Sequence, residues 1–227
     1  MPQAVLKHSI ELVLFDFDGT LADTAPDLAA AANRQRIERG LPALELDALR
    51  PLASHGARGL IGKALGVTPE DPGYEALRLE FLRFYEEAIC VHTCLFPGVE
   101  QTLAEIEAAG MRWGIVTNKA MRFTTPLVRE LGLETRAAVV VAGDTTPHAK
   151  PHPAPIEHAL QACAVAPAAA VYVGDDVRDI EAGRAARLRT IAVRYGYLGA
   201  GEPIEAWGAD AIATTPGDLL RLVVRRP

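Results

Sequence analysis

Short apolar runs alternate with amphipathic stretches along the chain beyond about residue 95. Brief runs that are almost wholly apolar and rich in β-branched residues are typical of buried parallel strands, and the stretches between them have helical spacing. The pattern therefore predicts an α/β fold, in which helices cover both faces of a parallel sheet. The predicted strands are ELVLFDF at 11–17, WGIVT at 113–117, AAVVVAG at 137–143, AVYVG at 170–174, TIAV at 190–193 and a weaker AIA from 211.

The segment between the first two predicted strands has a different pattern. From about residue 26 to 95 the apolar positions follow helical spacing, and no convincing strand interrupts them. Gly40 with Pro42, and Pro69 with Pro72, divide the segment into separate helices. The sequence thus predicts a core domain made of residues 1–22 and 95–227, interrupted by a helical domain of residues 23–94.

Charge and composition narrow the class of ligand. The chain of 227 residues has a formal net charge of −6 and no run of Lys and Arg, so we expect no nucleic-acid partner. Polar residues interrupt the apolar stretch near the N-terminus, which predicts neither a signal peptide nor a membrane span. An odd number of cysteines fits a reducing compartment. We therefore expect a cytoplasmic monomer or homodimer that binds a small molecule.

Carboxylates follow two of the predicted strands, at the edge where ligands bind in open parallel sheets. Asp16 and Asp18 begin on the same face of the first strand, and Asp175 follows a later one. Carboxylates so close together raise one another's pKa unless a cation keeps them ionised. Oxygen ligands favour a hard ion, so the sequence predicts a Mg²⁺ site.

Other polar residues at the same edge fit a phosphate group. Thr117 has a hydroxyl that can donate a hydrogen bond, and Lys150 carries a positive charge. Phosphoryl transfer needs mainly positioning and neutralisation of the phosphate oxygens. The chain contains neither a G-x-S-x-G elbow nor a G-x-x-x-x-G-K-[ST] loop. A carboxylate nucleophile that forms an acyl phosphate is therefore the predicted chemistry.

Four stretches, DFDGTLADT, VTN, KPHPAP and GDDVRD, resemble in order and spacing the motifs of the haloacid dehalogenase-like superfamily of phosphohydrolases. This resemblance implies a Rossmann-like core with a small inserted α-helical cap, as in the phosphoglycolate phosphatase-like subfamily. Asp179 matches the second acidic position of the last motif, and the role of Asp176 stays open. The resemblance further implies Asp16 as nucleophile and metal ligand, Asp18 as general acid and base with its backbone carbonyl on Mg²⁺, Thr117 and Asn118 as phosphate binders, Lys150 as charge neutraliser and Asp175 as metal ligand.

The predicted cap contains one stretch suited to substrate binding, SHGARGLIGKAL at 54–65. Glycines there let the backbone approach a ligand, and we expect Ser54, His55, Gly56 and Arg58 to contact the substrate, with Arg58 on a carboxylate. The alternative is a glycine-capped helix start with solvated charges.

Two interpretations of the substrate and one of another functional class remain open. Stretches in both the cap and the core are similar to proteobacterial phosphoglycolate phosphatases, among which are N-acetylmuramic acid 6-phosphate phosphatases. Both substrates carry a carboxylate. A phosphoacceptor signalling module also places Asp, Thr and Lys at strand ends, but it needs neither Asp18 nor a long helical insertion.

Overall fold

The computed structural model of the protein describes residues 10–199 and 201–224. The predicted core domain also includes residues 1–9, 200 and 225–227, which lie outside the described residues. Among the described residues, no helix combines the length and apolar character needed to cross a membrane. The strands are β1 (Leu12–Phe15), β2 (Ala22–Asp23), β3 (Cys94–Leu95), β4 (Arg112–Val116), β5 (Val140–Val141), β6 (Ala170–Gly174), β7 (Arg189–Val193) and β8 (Ala211–Ala213).

The α-helices of the described residues alternate with these strands in the second half of the chain. They are α1 (Ala25–Ile37), α2 (Leu46–Leu49), α3 (Gly56–Leu65), α4 (Tyr74–Glu87), α5 (Val99–Ala108), α6 (Met121–Glu130), α7 (Ala154–Cys163), α8 (Val177–Ala185) and α9 (Leu219–Val224). Four 3₁₀ segments of the described chain cover Arg50–His55, Pro167–Ala169, Ile204–Ala206 and Pro216–Asp218.

Six parallel strands form one sheet in the order β5-β4-β1-β6-β7-β8, which confirms the predicted α/β fold. Strand β1 lies inside the sheet, between β4 and β6. Alternate residues of β1 enter different cores, with Val13 and Phe15 in one and Leu12 and Leu14 in the other. This alternation follows from the two-residue repeat of a strand, and it explains why the whole run is apolar.

The strands are shorter than their apolar runs predict. The run at 137–143 forms a ladder only at Val140–Val141, because β5 is an edge strand with a single partner, β4. The first strand ends at Phe15, after which the chain turns through Gly19, whose φ of +84° favours glycine. Hydrophobicity predicted where these strands lie, and the pairing partners determined where they end.

Helices α1–α4 lie between β2 and β3 in the chain and bury a hydrophobic cluster of their own, to which Phe123 and Tyr197 of the remaining chain also contribute. Ala22 pairs with Leu95, and Asp23 pairs with Cys94, in an antiparallel ladder. The chain therefore enters and leaves the helical segment through adjacent residues. The division into a core and a cap at these positions stays a prediction.

A buried carboxylate fixes the same junction from inside the helical segment. Asp27, in the first turn of α1, accepts hydrogen bonds from the backbone N–H groups of His92 and Thr93 at 2.9 Å, and from Thr93 Oγ1 at 2.7 Å. Each of these donors is a group that would be costly to leave unpaired in a buried position. Asp27 therefore ties the start of the segment to its end.

Replacing Asp27 by alanine should lower the free energy of unfolding by about 3 kcal/mol, because the N–H and hydroxyl of the buried Thr93, and the N–H of His92, lose their acceptor. Urea denaturation monitored by circular dichroism measures the change. Asp47→Ala, at an exposed position in α2, is the matched control and should cost less than about 1 kcal/mol. Equal losses in the two variants would contradict the role of Asp27.

Candidate active site

The strand order brings distant polar residues to one edge of the sheet. Asp16 follows β1, Thr117 follows β4 and Asp175 follows β6, and β1 lies between the other two strands. Because all three strands are parallel, their carboxyl ends meet at the same edge. The residues that sequence reasoning drew from separate motifs therefore converge there.

Lys150 is the cation at the centre of this edge. Its Nζ lies 2.9 Å from Asp16 Oδ1 and donates hydrogen bonds to Asp179 Oδ1 at 2.7 Å and to Tyr172 Oη at 2.8 Å. Burial alone would lower the pKa of Lys150, but the carboxylates of Asp16 and Asp179 outweigh it and hold that pKa well above its ordinary value. The ammonium group is therefore charged at neutral pH.

Three carboxylates, those of Asp16, Asp175 and Asp179, offer oxygens that all lie within 4.8 Å of one another. Burial first, and then repulsion by the two neighbouring carboxylates, raises the pKa of Asp175 well above its ordinary value. Among the described residues, the buried Oδ1 of Asp16 accepts no hydrogen bond of normal geometry, although Lys150 is close by. Three converging carboxylates offer the oxygen ligands that a hard divalent cation such as Mg²⁺ prefers.

The backbone around Asp175 is packed closely enough to orient its carboxylate. Thr20 Oγ1 and the Tyr197 N–H each donate a hydrogen bond of 2.9 Å to it. A Cβ on Gly19 or on Gly196 would overlap Asp175, so glycine is required at both positions. The side chain of Asp18 is not part of the carboxylate cluster.

Asp18 is held between a hydroxyl and a second buried lysine. Its Oδ1 accepts a hydrogen bond from Thr24 Oγ1 and lies 3.1 Å from Lys119 Nζ. Lys119 also donates to the hydroxyl of Tyr85, on α4 of the helical segment, at 3.2 Å. Burial opposes the charge of Lys119, but Asp18 and then Tyr85 outweigh it and raise the pKa of that lysine. Asp18 is thereby connected to the helical segment.

The side chain of Asn118 positions Lys150. Its Nδ2 donates to the backbone carbonyl of Lys150, and its Oδ1 accepts from the backbone N–H of Lys150, both at 2.9 Å. The hydroxyl of Thr117 accepts a hydrogen bond from the Lys119 N–H at 3.2 Å and retains its own donor. The predicted phosphate-binding residues thus lie at the expected edge, while the side-chain amide of Asn118 is occupied by the backbone of Lys150.

Asp176 and Asp179 begin α8 in different ways. Asp176 caps the helix and binds the guanidinium of Arg178 through two hydrogen bonds of 2.8 Å. Burial would raise the pKa of Asp176, but the hydrogen bonds and charge of Arg178 lower it. Arg178 also donates to the backbone carbonyl of Ser54 at 2.8 Å, across to the helical segment. Asp176 is therefore an anchor for Arg178, whereas Asp179 belongs to the carboxylate cluster.

A cavity of about 380 Å³ opens above Asp16, between the sheet edge and the helical segment. The predicted substrate residues Ser54, His55 and Gly56 line it, and Ser54 Oγ has no hydrogen-bond partner among the described residues. Arg58 is exposed and lines a neighbouring cavity of about 430 Å³ instead. The apolar and aromatic lining of the first cavity comprises Leu28, Ala53, Ala57, Phe81, Leu82, Tyr85, Ala120 and Phe123.

Sequence reasoning placed Lys119 at a strand end without assigning it a role, and it did not identify Tyr85 or Arg178 as parts of this site. Lys119 directly follows the VTN stretch, so its place after a strand was a usable signal. Tyr85 and Arg178 lie inside helices, where an isolated aromatic or charged residue gives no sequence signal of its own.

Comparison with known proteins gives consistent matches. The family model of haloacid dehalogenase-like hydrolases matches residues 13–193. A Pseudomonas putida protein named N-acetylmuramic acid 6-phosphate phosphatase is 44% identical over 214 residues, which are 94% of this chain and 96% of the relative. A Xanthomonas campestris pv. campestris protein named phosphoglycolate phosphatase is 44% identical over 208 residues, covering 91% and 93% of the two chains.

A solved structure of similar fold comes from Haemophilus somnus 129PT, where it is described as a predicted phosphoglycolate phosphatase. It superposes with a TM-score of 0.82 at 27% identity, and the match covers 94% of this chain and 97% of the other. The fold therefore agrees over nearly the whole length of both chains.

If the carboxylate cluster binds Mg²⁺, removing one of its carboxylates should abolish the stabilisation of the folded protein by Mg²⁺. Mg²⁺ at 100 times its dissociation constant should stabilise the parent protein by about 2.7 kcal/mol, and Asp175→Asn should lose this effect. Thermal unfolding with and without Mg²⁺ measures it. Asp176→Asn, which keeps a residue able to cap α8, is the matched control and should retain the response. Full Mg²⁺ stabilisation of Asp175→Asn would refute the site.

In the metal-free protein, the difference in unfolding free energy between Asp175→Asn and the parent should depend on pH. The folded-state pKa of Asp175 is raised above its ordinary value of 3.8, so its ionisation costs no stability below that pH and costs progressively more as the pH rises. The stability difference should therefore shift in favour of Asp175→Asn between about pH 4 and pH 7, by at most about 1.4 kcal/mol per pH unit. Urea titrations at several pH values measure how this stability difference changes with pH. A shift in favour of the parent protein as the pH rises would contradict the prediction.

Proposed function

The chain belongs to the haloacid dehalogenase-like hydrolases, and from that membership we propose that it is a magnesium-dependent phosphatase acting through a phosphorylated Asp16. The observation that carries the proposal is the position of Asp16, at the floor of the cavity, beside the charged Lys150 and the carboxylates of Asp175 and Asp179. This arrangement places a carboxylate oxygen beside a cation, at a point that a phosphate can reach.

In the proposed reaction, a carboxylate oxygen of Asp16 attacks phosphorus, and the bond from phosphorus to the ester oxygen breaks. Asp18 donates a proton to the departing alkoxide, which leaves as an alcohol. Asp18 then accepts a proton from the water that attacks the acyl phosphate, and this step releases inorganic phosphate and restores Asp16. Thr24 and Lys119 hold Asp18 in position for both proton transfers.

The phosphate oxygens need neutralisation during both steps. Lys150 supplies one positive charge, and Thr117 has a free hydroxyl donor. Mg²⁺, when bound, would add charge neutralisation at the phosphate oxygens. We propose that Asp16 and Asp175 hold it through their side chains, with the backbone carbonyl of Asp18 as a third protein ligand and Asp179 in support.

We propose that residues 23–94 act as a cap that encloses the substrate. Two polar contacts support this assignment, from Arg178 to the Ser54 carbonyl and from Lys119 to the Tyr85 hydroxyl. Both join a residue next to the reacting groups to the helical segment. Enclosure excludes bulk water and strengthens the electrostatic interactions within the site.

The proposed substrate is a small phosphomonoester that carries a carboxylate. Phosphoglycolate is one candidate. The cavity volume of about 380 Å³ and its aromatic walls favour a larger ester such as N-acetylmuramic acid 6-phosphate, since a two-carbon acid would leave most of that space empty. Comparing kcat/KM for these two esters tests whether the larger one is the preferred substrate.

We further propose a cytoplasmic location, which the three unpaired cysteines support.

Asp16→Asn should abolish turnover of any phosphomonoester, because a neutral amide cannot form the acyl phosphate. Phosphate release measured with Mg²⁺ checks this, with Asp176→Asn as the active control. Stable, stoichiometric phosphorylation of the parent chain without turnover would instead indicate a phosphoacceptor signalling module.

Asp18→Asn should discriminate between leaving groups. The first turnover of an alkyl phosphate should slow by roughly 10²- to 10⁴-fold, because its alkoxide needs a proton, whereas nitrophenyl phosphate should be affected far less. Rapid-quench measurement of the released alcohol or phenol distinguishes the cases. Equal losses for both esters would rule out Asp18 as the general acid.

A further inference from the structure

The cavity above Asp16 is lined by one cationic side chain that has no carboxylate partner. Five Arg and Lys side chains line it: Arg78, Lys119, Arg122, Lys150 and Arg178. Four of the five have a carboxylate within 3.1 Å or less: Arg78 has Glu75, Lys119 has Asp18, Lys150 has Asp16 and Asp179, and Arg178 has Asp176. Of these five, Arg122 alone makes no ion pair with any of the residues that the structure describes.

The guanidinium of Arg122 is nevertheless held in place. It stacks on the ring of Phe123, with its Cζ 4.4 Å from the ring centroid. Phe123 is buried and packs against Tyr85 of the helical segment, with the ring centroids 5.5 Å apart. The stacking platform therefore belongs to the contact between the sheet side and the helical side of the cavity.

Helix stability does not account for an arginine at this position. Arg122 is the second residue of α6, whose first turn contains no acidic residue. A cation there lies at the positive end of the helix dipole, which is unfavourable. At the helix end itself, the Met121 N–H already donates to Asp144 Oδ1 at 2.8 Å. The guanidinium of Arg122, five residues beyond the predicted phosphate-binding Thr117, is therefore the group that favours an anion in the cavity.

We propose that Arg122 binds a second anionic group of the substrate, a carboxylate, while Lys150 and Thr117 serve the phosphate that is cleaved. A planar guanidinium can donate two parallel hydrogen bonds to a carboxylate, and each of the other four cations of the cavity has a carboxylate of the protein within 3.1 Å. This inference rests on the proposed phosphatase function and assigns one residue to its choice of substrate. Arg122 is thus a specificity-determining residue, distinct from Arg58 in the neighbouring cavity.

Two matched esters test the assignment. N-acetylmuramic acid 6-phosphate and N-acetylglucosamine 6-phosphate differ only in the lactyl ether that bears the carboxylate. For Arg122→Ala, the ratio of their kcat/KM values should fall by roughly 10- to 100-fold, mainly through a higher KM for the carboxylated ester. Arg122→Lys should recover part of the ratio, since it keeps the charge without the planar fork. Arg129→Ala, on the same helix but outside the cavity, should leave the ratio unchanged.

The outcomes separate this inference from the function on which it rests. An active parent whose ratio is the same in Arg122→Ala overturns the assignment of Arg122 and leaves the phosphatase intact. A ratio that falls in Arg58→Ala instead of Arg122→Ala moves the carboxylate to the neighbouring cavity and also overturns it. A parent protein that hydrolyses neither of these esters nor phosphoglycolate with Mg²⁺ overturns the proposed function itself.

Discussion

The contact of the Lys150 ammonium with Asp16 and Asp179 is the interaction on which the rest of the site depends. Buried carboxylates are costly, and a buried ion pair is stable only when its geometry and remaining hydrogen bonds are good. Tyr172 accepts the remaining hydrogen bond from Lys150, and Asn118 fixes the backbone of that lysine on both sides. Without this cation, the strand ends would bring together carboxylates that repel one another.

Much of the fold and of the reacting centre could be predicted from the sequence because both depend on local patterns. A buried parallel strand must be apolar on both faces, so the runs around Val13 and Val173 were recognisable. The topological rule for parallel sheets then predicts that Asp16, Thr117 and Asp175 lie at a common edge. The family resemblance of the four motifs added roles to these positions.

The parts that escaped prediction depend on contacts between distant segments. The side chain of Asn118 binds the backbone of Lys150, and nothing in either motif indicates this pairing. The same holds for the cavity walls, where Tyr85 of the helical segment meets Phe123. Arg58 and Arg122 look alike in the sequence, and only their surroundings in three dimensions place one in the neighbouring cavity and the other beside the reacting groups.

The adjacent entry and exit of the helical segment bear on how the chain can fold. Strands β1 and β4 are neighbours in the sheet although the whole segment lies between them, and closing so long a loop carries an entropic cost. The ladder between Ala22 and Leu95, with the Asp27 hydrogen bonds, holds the two ends of the segment together. Once α1–α4 have packed, the effective loop between β1 and β4 shrinks to residues 16–21 and 96–111, and the second stretch contains α5. The insertion then brings the central strands of the sheet together instead of keeping them apart.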